Sequence, residues 1–200
     1  MKWIIILFAL SAVCIAQQPS ERPQAKISSL GLKVREVGTK KKDHDNWKSW
    51  GSYDRDTTRQ KTVEVEVTKF SRDPADGVKV WVLWIARPAQ SNSGEFIFKR
   101  EVLPLNLTKQ FEHVTFVSPE IVENNQRYYG YYSSGTYTSG MKLAGYAIGL
   151  DYGGETSKPY FSNGVSNISE PAKLKALIAE YEKKGKNRRS SRSQSDQPDR

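Results

Sequence analysis

The chain has 200 residues, a formal net charge of +9 and 37% apolar residues. That length suits one globular domain with tails rather than two domains, and it is enough to bury a core. One cysteine and two histidines exclude a disulfide scaffold and leave little from which to build a zinc centre or a cysteine nucleophile.

Residues 1–16 read as a secretory signal peptide. Met1 and Lys2 form a short positive start, Trp3 to Leu10 is an unbroken apolar run, and the chain turns polar at Gln17. An export apparatus reads that order of charge, apolar run and small residues. The run is shorter than the ~20 residues of a permanent transmembrane helix, so no span is expected after cleavage. Cleavage following Ala16 removes Cys14, and the product then depends on packing alone. A lipoprotein signal ending at Cys14 fits less well, because Ser11 and Val13 stand where such signals carry leucine and a small residue. The expected location is periplasmic or extracellular.

Residues 17–26 are a polar linker, followed by a domain over 27–168. Leu30, Leu32 and Val34 alternate with other residues, which predicts a first strand within 27–37. Residues 38–60 are polar, with Lys40, Lys41, Lys42 and the triplet Asp43-His44-Asp45; the large apolar groups there are Trp47, Trp50 and Tyr53. A connection this long is functional, partly ordered, or an unrecognised pair of strands.

Val63, Val65 and Val67 alternate with Glu64, Glu66 and Thr68, so one face is buried and one wet. Asp73 to Gly77 is a turn, with Pro74 fixing φ and Gly77 accepting positive φ. Val78 to Ala86 is apolar on both faces, as a central strand should be. Gln90 to Gly94 turns again, Phe96 and Phe98 alternate with charged neighbours over 95–102, and the segment 103–109 turns through Pro104. Phe111, Val114 and Phe116 mark another strand, and Met141 to Asp151 is the last long one. Gly153-Gly154 makes a tight turn, from which 158–162 return beside that strand.

A helix is expected over 169–184. Ser169 suits an N-cap and Pro171 a first turn. Leu174, Leu177, Ile178 and Tyr181 fall on one stripe, and Gly185 can stop the helix. Residues 185–200 hold no large apolar group and read as a disordered basic tail.

The fold class is mostly β: an antiparallel β-sandwich closed by one C-terminal amphipathic helix, with an antiparallel β-barrel as the alternative. The even spacing of strands over about 27–163 resembles the immunoglobulin-like and fibronectin-type-III-like sandwiches of secreted proteins. The inter-sheet cysteine pair of true immunoglobulin domains is absent, and the likeness transfers no functional residue.

Catalytic signatures are scarce. No nucleophile elbow, H-E-x-x-H or phosphate-binding loop occurs, and neither a cofactor nor a metal is expected. Alternation would let Asp43 and Asp45 share a cation, although a lysine-rich segment balancing its own charge is the simpler account of them. The segment 127–140 carries Tyr128, Tyr129, Tyr131, Tyr132 and Tyr137 among Ser, Thr and Gly, the mixture that binding loops use. With Trp47, Trp50 and Tyr53 they are candidate ligand contacts for a glycan or an envelope protein. Tyrosine also favours strands, and a purely structural role fits the same pattern.

Lys183, Lys184, Lys186, Arg188, Arg189 and Arg192 are candidates for holding an anionic polymer or lipid surface. The tail lacks the interleaved aromatics of a single-strand nucleic-acid binder, so no specific nucleic acid is expected. The sequence thus points to a non-catalytic exported interaction module. The alternatives are a carbohydrate-binding protein and a small secreted hydrolase with a carboxylate site.

Overall fold

The structure is a computed structural model and describes residues 25–48, 52–91, 94–129 and 134–194. The signal segment with Cys14, most of the linker, Trp50, Tyr131, Tyr132 and residues 195–200 lie outside the described residues. In chain order the elements are β1 (Leu30–Lys48), β2 (Ser52–Lys69), β3 (Ala75–Pro88), β4 (Phe96–Leu107), β5 (Phe111–Val117), β6 (Ile121–Tyr129), β7 (Ser134–Tyr152), β8 (Glu155–Thr156), β9 (Tyr160–Phe161) and α1 (Pro171–Gln194).

All pairings are antiparallel. A first sheet joins β1, β2 and β5, with β5 lying along the C-terminal half of β2. A second sheet places β3 between β4 and β7, extended by β8 and β9 on β7. Strand β6 links the two, pairing with the N-terminal half of β2 and the start of β7. The path β1-β2-β6-β7-β3-β4 leaves β1 and β4 as separate ends, so the sheet is not closed into a barrel.

The alternating valines explain how the layers meet. Val63, Val65 and Val67 are fully buried against Val78, Val80, Val82 and Trp84 of β3 and Tyr146, Ile148 and Leu150 of β7. Each such valine contributes about 1.5–3 kcal/mol of burial. Strand β3 is apolar on both faces because both are covered. Its other face, carrying Trp81, Leu83 and Ile85, packs with Ile97, Val165, Ile168 and Leu174.

Leu177, Ile178 and Tyr181 of α1 rest on that second cluster. The helix therefore docks on its own domain, as a third layer over the second sheet. Pro171 opens the helix, where its missing N–H costs nothing. Among the described residues no helix is long and apolar enough to cross a membrane.

Several sequence expectations change. For the polar stretch 38–60, the unrecognised pair of strands is the option the structure selects: its described residues form the outer half of the β1–β2 pair, which runs from Leu30↔Lys69 to Lys48↔Ser52. Both its faces are polar over the outer half, so no apolar period marks it as strand. Strand β6 escaped notice for the same reason. Pro104 does not turn the chain, because β4 is a sheet edge that tolerates a missing donor. On β4 it is Ile97 that reaches the core, while Phe96 and Phe98 are half-buried and Phe111 on β5 is exposed.

The boundaries shift as well. Ala25, placed in the linker, is buried, and its N–H donates to Pro74 O at 3.3 Å. The helix starts at Pro171 rather than Ser169 and runs past Gly185 to Gln194, through most of the expected disordered tail. Once docked turns have nucleated a helix, Lys, Arg and Gln extend it readily, and one glycine costs only about 1 kcal/mol.

Candidate ligand-binding face

Beyond the core, the outer halves of β1 and β2 continue with β6 and the start of β7 as a polar four-stranded arm. Strand alternation gives the arm two faces, and register decides which residues share each.

The inner face continues the valine side of β2. Its rows are Asp43–Thr57–Glu123–Gly140, Asp45–Arg55–Asn125–Thr138 and Trp47–Tyr53–Arg127–Thr136. Several of the described side chains on this face are engaged with one another. Arg55 Nε donates to Asp45 Oδ1 at 2.8 Å and the Tyr53 hydroxyl to the same oxygen at 2.6 Å. The Arg55 guanidinium also lies 5.4 Å from the Tyr53 ring centre. Lys41 and Thr57 donate to Asp43 at 2.8 and 2.9 Å.

Hydrogen bonds from Lys41, then Thr57, hold Asp43 below the usual carboxylate range. Arg55, then Tyr53, do the same for Asp45. The two aspartates do share a face, but each carboxylate is already occupied by protein donors. Glu123 is buried and paired with Lys142 at 3.2 Å.

The outer face is organised differently. Its rows are Lys42–Thr58–Val122, His44–Asp56–Asn124–Ser139, Asn46–Asp54–Gln126–Tyr137 and Lys48–Ser52–Tyr128–Gly135. Asn124 Nδ2 donates to Asp56 at 2.6 Å, whereas its Oδ1 is buried and, among the described residues, has no hydrogen-bond partner. Tyr137 is 48% exposed, and Lys40, Lys42 and His44 are exposed. Half-buried amides and hydroxyls in these rows lie beside an open tyrosine ring that offers a stacking plane.

The structure therefore gathers some aromatic candidates and separates others. Residues 47 and 53 are direct partners on the inner face, with Tyr129 in the next row on the same side. Residues 128 and 137 are diagonal neighbours on the outer face. Positions 129 and 137 thus occupy different strands and opposite faces. The side chains of Trp47, Tyr128 and Tyr129 lie outside the described residues, as do Trp50, Tyr131 and Tyr132 entirely.

Asp56, Asn124, Gln126 and Ser139 were missed by sequence reasoning. Polar residues without an apolar period give no strand signal, and only pairing brings 56, 124 and 139 into one row.

Two other regions bear on chemistry. Where the sandwich opens toward the arm, the Tyr146 hydroxyl donates to Glu36 at 3.1 Å. Lys61 pairs with the same Glu36 at 3.0 Å and lies 5.7 Å from the Tyr146 ring centre. Burial, reinforced by Glu36, pushes the Tyr146 hydroxyl well above its ordinary range. It is a neutral donor tying the two sheets together.

Between α1 and β4 runs a cleft of about 760 Å3, floored by Phe96, Phe98, Met141 and Leu177 and rimmed by Glu180 and Glu182. These rim carboxylates pair with Lys184 at 2.6 Å and Arg100 at 3.2 Å. The candidate polyanion contacts Lys183 and Lys184 are exposed on α1; Lys186, Arg188, Arg189 and Arg192 also lie on the helix, with side chains outside the described residues. Steps of 100° distribute these six positions around the helix rather than along one face.

Comparison with protein-family models, with curated proteins and with solved structures finds no match.

Proposed function

We propose that this chain is an exported, non-catalytic interaction module that holds its ligand on the outer face of the β-arm. The observation that carries this reading is the pair of rows His44–Asp56–Asn124–Ser139 and Asn46–Asp54–Gln126–Tyr137, which extend past the hydrophobic core. Ordering a polar sheet that buries little apolar surface costs conformational entropy. Contact with a ligand accounts for keeping it. The export half rests on the signal-like residues 1–16.

The non-catalytic half is supported by the state of the arm's acids, since Asp43, Asp45, Asp56 and Glu123 are each bound to a protein donor. Within this reading a specific observation favours carbohydrate as the ligand class. Tyr137 is open for stacking, and the half-buried amide of Gln126 is its direct cross-strand neighbour.

The test is a glycan array probed with the signal-free chain and with Tyr137→Ala and Gln126→Ala. Loss of about tenfold in affinity for the bound glycan is expected in each variant, the effect of one lost stacking or amide contact. Trp47→Ala reports on the inner face and should leave that binding unchanged. Binding lost in Trp47→Ala alone moves the site to the inner face. Turnover of the captured glycan would instead favour the hydrolase.

A further inference from the structure

At the opposite end of β2 from the arm, Lys69 to Arg72 and the turn between β4 and β5 border an open, polar pocket of about 360 Å3. Lys69, Arg72 and Lys109 line it, together with Phe70, Ser71 and Thr108. The Lys69 N–H donates to Gln110 O at 2.7 Å and fixes one wall to the other.

No carboxylate lines the pocket, and among the described residues none of the three cations forms an ion pair. Asp73 follows Arg72 in the chain but does not reach the lining. Lys69 Nζ has a long contact to Leu107 O, 3.4 Å. Ser71 Oγ is withdrawn from solvent and, among the described residues, has no hydrogen-bond partner. Like charges lining one pocket repel, and a bound anion relieves that repulsion. A planar guanidinium and two ammonium groups together match the oxygens of a tetrahedral anion.

Phe70 adds a second requirement. It is 71% exposed, and its ring lies over Gly31, where a Cβ would come within 2.7 Å of Cε2. One edge of the ring thus rests on the β1 backbone, and most of the ring is open to solvent at the pocket.

We propose that this pocket binds a phosphate or sulfate ester carried on a sugar ring, with the ester among Lys69, Arg72 and Lys109 and the ring stacked on Phe70. The site is separate from the arm in position and in chemistry.

Titration calorimetry of the full signal-free chain at low ionic strength tests it, using glucose 6-phosphate, glucose 6-sulfate, inorganic phosphate, inorganic sulfate and glucose as probes. One or both esters should bind at least about tenfold more tightly than the inorganic anions, with the preferred ester naming the source. Added salt should weaken that binding. Arg72→Gln/Lys109→Gln should abolish the ester advantage, and Phe70→Ala should bring the ester down to the inorganic anion. All three positions are exposed, and matching far-UV spectra confirm folding. Absence of ester binding overturns the proposal. So does undiminished binding in the double variant, which would place the anion on the C-terminal cations, or an ester bound no better than its inorganic ion.

Discussion

Replacing Gly149 with alanine tests how tightly the second sheet packs under the helix. A Cβ at this position of β7 would lie 2.3, 2.7 and 3.0 Å from Cζ2, Cε2 and Cη2 of Trp81. The indole is not free to give way: it is 5% exposed, and its Nε1 donates to Asp151 Oδ1 at 3.1 Å. Overpacking of this kind costs about 1–3 kcal/mol. Displacing the ring also strains a hydrogen bond to a carboxylate, about 1 kcal/mol more. The sum, roughly 2–4 kcal/mol, is a large part of a typical domain's stability.

Urea unfolding should show it as a midpoint lowered by about 1–2 M at unchanged slope. A double-mutant cycle isolates the cause. In a Trp81→Ala background the clash partner is gone, so adding Gly149→Ala should cost less than about 0.5 kcal/mol. A Gly149→Ala midpoint equal to wild type, or an equal loss in both backgrounds, would refute the packing account.

Stability should fall above pH 10 and fall less steeply in Tyr146→Phe. The folded chain holds the Tyr146 hydroxyl above its ordinary 10.0, chiefly through burial and then Glu36. Its contribution is therefore whole below pH 10.0 and is lost above it, as the unfolded chain ionises first. Tyr152 is raised by burial as well, so part of the slope should remain in the variant. Urea midpoints between pH 8 and pH 11 decide, and identical slopes would remove Tyr146 as the source. Deleting residues 186–200 should release the chain from vesicles containing anionic lipid at low salt, and salt should release the intact chain; equal retention of both would show that the C-terminal cations hold no such surface.

Much of the sandwich was legible because burial imposes a period. Val63, Val65 and Val67 announce a half-buried strand, and the double-faced run at 78–86 is what a strand covered on both sides requires. Leu174, Leu177, Ile178 and Tyr181 likewise spell one helical stripe. These signals come from single elements meeting a core, and a local pattern records them directly.

The arm and the anion pocket were not legible, for a physical reason. Asp56, Asn124 and Ser139 come from three strands, and no local periodicity relates them. Arg72 and Lys109 meet only because β2 and the β4–β5 turn end at the same corner. Long-range pairing also settled where the helix rests, since its apolar stripe suits the second sheet and a partner equally well until Trp81, Leu83 and Ile85 are seen to need a cover. The sequence by itself determined which faces had to be dry. The tertiary structure decided which polar residues became neighbours, because hydrogen-bond register, unlike burial, leaves no period in the chain.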